Sequence, residues 1–398
     1  MFILHSNIDN FYANAECLTS PELRRKPLAV VGDTTRRHGI VLAVNEAAKR
    51  MGVKTGESVW CAEIKCPELV SVPARFDTYM RYAAAVRRIY MEYSDRVEPF
   101  GLDGAWIDIT KLSTTMGEAS HIADEIRERV KNEIGLTVFI GVSFNKSFAK
   151  LGSDMKKPDG TVAISKENFK EMIWSFPVRD LLYVGKKTES KMKLRGLNTI
   201  GDVAKCSEKR LCSVLGKWGS LLYAYANGWD ITPVRHIMDA SAVKSISNST
   251  TAAQDMYTYE AVKHTIVMLT DSIAQRMKAK NMGAKTVSIY VKDKNFNHFT
   301  RKMTLKDGTD DAELISDAAM ELFRNEYCWK NGIRSIGLSV SGLRDRSMGR
   351  IVPFEDRKKK EMERVLGNMR LKPGQTKAMR GVVLEDDSVA DLNSGVRH

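Results

Sequence analysis

One succession of hydrophobic patterns, β-α-β-β-α-β, occurs twice along this chain, and it limits the fold more than any single motif does. In the first copy the apolar run "MFILHSNIDNFYA" reads as a strand, and residues 77–94 carry apolar side chains at helical spacing. Residues 96–110 then read as two strands around a turn at Leu102, Asp103 and Gly104. A helix over 117–133 and a strand over 136–143 follow. That order predicts a split βαβ sheet with its helices on one face. The stretch 11–75 reads as an insertion after the first strand, and within it a short strand leads into a helix that stops at Gly52. The second copy runs through a strand at 244–250, a helix at 255–280, strands at 285–292 and 297–305, a helix at 310–328 and a strand at 333–341. Here Val287, Ile289 and Val291 alternate with Thr286, Ser288, Tyr290 and Lys292, and Ile336, Leu338 and Val340 repeat the pattern, so one face is core and the other wet. Between the copies lie short, glycine-punctuated helices and a polar linker. A charged tail follows residue 342.

Composition sets wider bounds. At 398 residues and 43% hydrophobic content the chain fills two to four domains. Its formal charge of +13 points to a polyanionic partner without specifying nucleic acid. The six cysteines (Cys17, Cys61, Cys66, Cys206, Cys212, Cys328) are scattered and complete no zinc pattern, which suits reduced thiols in a cytosolic protein. No run approaches the ~20 apolar residues of a membrane span.

The first strand is unusual in its polar residues. Strand alternation puts Asn7, Asp9 and Phe11 on one face, and Asp103 meets that face if its strand is a neighbour. Carboxylates gathered on adjacent strand ends of a basic protein suggest divalent-metal phosphoryl chemistry. Spacing alone leaves the other reading open, in which Asp9 and Asp103 are isolated turn or surface acids.

Five segments then carry a resemblance: "HSNIDNFYANAE", "RHGIVLAVNEAAKRMGVKTG", "VEPFGLDGAWIDIT", "GVSFNKSFAKLGSDMKKPDG" and "VGKKTESKMKLRGLNTIGD". Together, in this order, they resemble the Y-family translesion DNA polymerases of the DNA polymerase IV type, over roughly residues 1–345. The resemblance implies an α+β right-hand polymerase: a ferredoxin-like palm (1–10 and 76–164), small fingers (11–75) and a helical thumb with a helix-hairpin-helix (165–232). A linker (233–243), a β-α-β-β-α-β little finger (244–342) and a charged tail (343–398) complete it. It also implies template-directed nucleotidyl transfer with two Mg²⁺ ions (Mn²⁺ as an alternative), primer–template DNA and incoming dNTP as partners, and a cytoplasmic, nucleoid-associated monomer of a prokaryote.

The same resemblance assigns roles and exposes departures. The family's metal ligands are an Asp at the place of Asn7, the backbone carbonyl at Ile8, and an Asp-Glu pair at the place of Asp103 and Gly104. Of three expected carboxylates only Asp103 stands, with Asp9 as a possible replacement ligand. An amide oxygen is a weaker donor to a hard cation, and glycine offers none. This points to weak or absent activity, or to a catalytically silent DNA-binding relative at primer–template ends. Tyr12, beside Phe11, takes the aromatic place under the incoming sugar that excludes a 2′-hydroxyl. In the fingers, Glu46 and Lys49 stand where relatives use Tyr and Arg against the triphosphate. Lys157 matches the palm lysine that meets it. Without the resemblance these lysines read as solvated surface charges. Gly185, Lys186 and Lys187 form a turn that holds DNA phosphate through amides at a helix start. In the tail, Ile351 and Phe354 of "GRIVPFED" fit a sliding-clamp motif, although Arg350 and Pro353 depart from it.

Overall fold

The computed structural model describes residues 1–33, 39–155, 159–239 and 243–345. The described residues form two compact units, one over 1–33, 39–155 and 159–239 and one over 243–345.

The first unit is organised by β1 (Ile3–Ile8). The strand stops there because Asn10 adopts a left-handed conformation (φ 44°), which its short polar side chain tolerates, and α1 (Phe11–Thr19) begins at once. The reading of residues 1–13 as one strand is therefore corrected: Asp9 lies in the turn, and Phe11 and Tyr12 open a helix. After α1 come β2 (Leu28–Val31), β3 (Val41–Val44), α2 (Glu46–Arg50), α3 (Val59–Lys65) and β4 (Val70–Pro73), whose strands make a small sheet in the order β3-β2-β4. This insertion is not wholly separate. Phe11, Ala13 and Ala15 of α1 and Leu28 and Val30 of β2 join the core of the main sheet.

That main sheet gains α4 (Phe76–Tyr93), β5 (Val97–Phe100), β6 (Gly104–Asp108), α5 (Met116–Ile134), β7 (Val138–Ser143), α6 (Lys146–Met155) and β8 (Thr161–Ile164). Its order is β5-β6-β1-β7-β8, antiparallel except for β7 and β8. The first strand of the pattern thus lies between the third and the fourth, the ferredoxin-like arrangement. The β5–β6 turn occupies residues 101–103, with Gly101 at φ +73°, one residue earlier than its sequence reading.

Helices cover both faces, which corrects the expectation of one. Leu4, Ile8, Ile107 and Ile140 pack with the α4 and α5 side chains Val86, Ile89, Ile126 and Val130. On the opposite face α6 presses so closely that a β-carbon at Gly141 would stand 1.9 Å from the Ala149 carbonyl oxygen. A sheet covered on both sides explains why "VFIGVS" is buried at every position.

Short helices follow: α7 (Phe169–Ile173), α8 (Lys186–Lys193), α9 (Ile200–Lys205), α10 (Glu208–Leu215) and α11 (Lys217–Ala226). The segment read as a linker from 233 is instead strapped to β5 as far as residue 237. Val234 is fully buried with Ile3 and Trp106, and Glu98 accepts from the Arg235 amide and guanidinium at 3.0 Å each. Ile237 N–H donates to the Asp95 carbonyl at 3.0 Å. Sequence pattern missed this because a strap of this kind has no periodicity.

The second unit contains β9 (Ser245–Met256), α12 (Tyr259–Ala279), β10 (Met282–Asp293), β11 (His298–Thr309), α13 (Ala312–Glu326) and β12 (Ile333–Ser341). Its sheet is antiparallel in the order β11-β10-β12-β9, so the first strand lies at an edge. Val287, Ile289, Val291, Ile336, Leu338 and Val340 are buried against the helices, as the alternation requires.

Candidate nucleotide site and nucleic-acid surfaces

Register brings Asn7 and Gly104 together. In the β1–β6 ladder Asn7 faces Gly104, and the Ile8 amide donates to the Asp103 carbonyl at 2.9 Å. Asn7, Ile8, Asp9, Tyr12, Lys49 and Asp103 line one cavity of about 260 Å³. The expected strand neighbours are therefore real neighbours. Asp9 reaches the cavity from the turn, its amide fixed on the Thr137 carbonyl at 2.9 Å and its carbonyl accepting from Asn14 at 2.7 Å.

Tyr12 is half-buried and stacks on Tyr79, with centroids 4.5 Å apart and planes 14° apart. The Tyr79 hydroxyl donates to buried Glu16 at 2.6 Å, and Glu16 pairs with Arg75. Burial, and after it the nearby Asp103 carboxylate, pushes the Tyr12 phenol above its usual range. Lys49, exposed on α2, bonds the Asn10 side chain, while Glu46 lies 3.9 Å from Arg50 and does not line the cavity. Arg87 of α4 donates to the Gly101 and Leu102 carbonyls at 3.0 and 3.1 Å and so holds the turn that presents Asp103. Sequence reasoning missed Arg87, Glu16 and Tyr79, since nothing in a helical pattern marks a residue that braces another element. Asn10 had a signal, the Asp-Asn pair that favours a turn. Lys157 lies outside the described residues.

Two further surfaces carry candidates. Gly185 is the N-cap of α8 without a side-chain cap, Lys186 and Lys187 are exposed in its first turn, and the space beyond Gly185 is open. In the second unit the uncovered sheet face has rows such as Ser247, Ser339, Ser288 and Lys302. From Ser245 to Thr251 along β9 these rows contain mostly hydroxyls, with Lys292 and Lys302 and no carboxylate.

Residues 6–154 match the impB/mucB/samB family, and residues 243–351 match the C-terminal domain of that family. A DNA polymerase IV of Acetivibrio thermocellus is 43% identical over 96% of this chain and 98% of its own length. The chain belongs to the Y family of DNA polymerases, of the DNA polymerase IV type. DNA polymerase IV 1 of Bacillus subtilis is 33% identical over 97% of this chain and 94% of its own. A solved Y-family DNA polymerase chimera shares the fold, with a TM-score of 0.77 at 20% identity over 87% of this chain and all of its own.

Y-family membership implies divalent-metal dependence, and the donors at the cavity test it. Among the described residues no group of three or more His, Cys, Asp or Glu side chains is placed to hold a metal ion. Asp103, the Ile8 carbonyl and the Asn7 amide suit one hard cation that arrives with its own anionic ligand. Even with Asp9, which also lines the cavity, they supply two carboxylates against the mutual repulsion of a close pair of cations, fewer than the three that the resemblance implies.

Proposed function

We propose that this Y-family polymerase chain binds primer–template DNA and an incoming dNTP for translesion synthesis, with a centre so depleted by Asn7 and Gly104 that extension is slow or absent. One observation carries the reading: Asn7, Ile8, Tyr12, Lys49 and Asp103 line one cavity, and the β1–β6 register sets Asn7 opposite Gly104. In this reading residues 1–10 and 76–164 are palm, 11–75 fingers, 165–232 thumb and 244–342 little finger, with the start of the 233–243 linker fastened to the palm.

Each residue has a physical task. Tyr12, braced by Tyr79, fills the space that a 2′-hydroxyl would need. Lys49 meets the triphosphate as a point charge. Mg²⁺, when bound, supplies charge neutralisation at the triphosphate, beside Asp103 and the Ile8 carbonyl. Asp9 serves as a substitute ligand only if extension in Mg²⁺ proves robust. The turn at Gly185, Lys186 and Lys187 takes a DNA phosphate, and the hydroxyl-lined sheet face follows the duplex backbone without reading bases. The protein works as a cytoplasmic monomer, nucleoid-associated in use. A clamp contact through Ile351 and Phe354 belongs to this proposal, on residues outside those described.

The absence of an acid trio among the described residues also favours a second reading, a catalytically silent relative that occupies primer–template ends. The two share a first test. Primer–template affinity, followed by fluorescence anisotropy, is expected to fall linearly on a log–log salt plot. The nucleotide complementary to the template is expected to tighten the complex in Mg²⁺ more than the other three do. Salt-independent affinity, or equal response to all four nucleotides, overturns the polymerase reading.

A further inference from the structure

The lost glutamate position has a backbone consequence. Phe100 and Gly104 face each other at the end of the β5–β6 hairpin, joined by the three-residue turn 101–103. A β-carbon placed on Gly104 would stand 2.7 Å from the Phe100 carbonyl oxygen, closer than real β-carbons approach a backbone atom. On the same position bears the His5 ring, with Nε2 at 3.4 Å. His5 is fully buried and fixed through Nδ1 to Ser153 Oγ at 2.8 Å, and its Nε2 has no hydrogen-bond partner. The hairpin is also fastened from outside by Arg87 on the Gly101 and Leu102 carbonyls. Neither wall is the free end of a flexible side chain.

We infer that the β5–β6 hairpin is closed around glycine at 104, which commits the cavity to one divalent cation per bound nucleotide. Gly104 is then more than a missing ligand: the backbone leaves no room for any side chain there, so no second acid enters without moving Phe100. This deepens the proposed function and rests on it, because the single cation arrives with the triphosphate. Asp103 and the Ile8 carbonyl receive that cation, and the place beside the primer end has no side-chain carboxylate from residue 104 to hold another.

The test counts cations directly. Mn²⁺ is titrated by electron paramagnetic resonance into the full chain with a dideoxy-terminated primer–template and a complementary non-hydrolysable dNTP analogue, against the same DNA and analogue without protein. One nucleotide-dependent Mn²⁺ per protein is expected. Two overturn the inference and leave the nucleotide-binding reading standing, whereas none overturns both. A second measurement addresses the hairpin. Gly104→Ala, which adds only a methyl group, is expected to lower the thermal midpoint by several degrees, and an unchanged midpoint overturns the closure.

Discussion

The two sheets share one element order and differ in both strand order and cover. In the first, β1 is central, helices press on both faces, and polar groups such as His5 and Ser6 are sealed inside. In the second, β9 is an edge strand, the strands are long, and one face stays open with hydroxyls and lysines. A covered sheet leaves only its strand ends for ligands, and the cavity proposed for the nucleotide sits where β1 gives way to α1. An open sheet offers a whole face, suited to an extended polyanion but to no small molecule. The same α and β succession therefore presents two kinds of surface, and the proposed function gives each its own ligand.

Breaking the covered sheet is expected to cost most. Lys146 is buried and pairs with Glu98 at 2.6 Å, so Glu98→Ala strands a charge and is expected to lower stability by about 3–5 kcal/mol in urea unfolding. A loss below 1 kcal/mol means that the pair is solvated. The two sheets' glycines give a sharper contrast. Gly141→Ala drives a methyl into the Ala149 carbonyl and is expected to cost about 3 kcal/mol. Gly337→Ala meets only the Ser249 and Tyr290 side chains, at 3.3 and 3.5 Å, and is expected to cost about 0.5 kcal/mol. Equal costs contradict the difference in cover.

Part of this contrast is legible in sequence. Strict alternation in "KTVSIYVK" marks a half-buried strand, whereas the cover on both faces of "VFIGVS" departs from the one-faced sheet that the element order predicts. Strand order is not legible, because the element order β-α-β-β-α-β allows both arrangements seen here. Of the site, Asn7, Asp103 and Tyr12 were readable from motif positions. The closure around Gly104 and the brace from Arg87 were not, because each depends on backbone approach between elements distant in sequence. The end of β1 at Ile8 was missed because the apolar pattern runs on through Phe11 and Tyr12, and only the left-handed Asn10 breaks it.

Smaller effects separate the tasks of the two units. Tyr12→Ala is expected to raise ribonucleotide binding relative to deoxyribonucleotide about tenfold, the scale of one vacated contact, without changing the salt slope for DNA. Unchanged discrimination makes Tyr12 a core residue only. Lys292→Ala and Lys302→Ala on the open face are each expected to reduce that salt slope by about 1 and leave the thermal midpoint alone. The smallest effect is a pH dependence. Burial, reinforced by the nearby Lys150 charge, holds the His5 imidazole well below its usual value. The folded state thus binds this proton less readily than the unfolded state. The contribution is present at neutral pH and is lost as pH falls below about 6.5 toward the folded value. His5→Leu is expected to flatten that acid limb, and an unchanged limb assigns it to other groups.

The central claim is that binding survives in a chain whose chemical centre is depleted. Single-turnover primer extension in Mg²⁺, run on the unmodified chain beside Asn7→Asp/Gly104→Glu at saturating DNA and dNTP, tests it most directly. The double variant is expected to fold with a lower thermal midpoint, since Phe100 must yield, and yet to extend faster by several orders of magnitude, with either single change rescuing only part. Robust extension by the unmodified chain, at a rate equal to that of the double variant, would contradict the account and point to Asp9 as a working ligand.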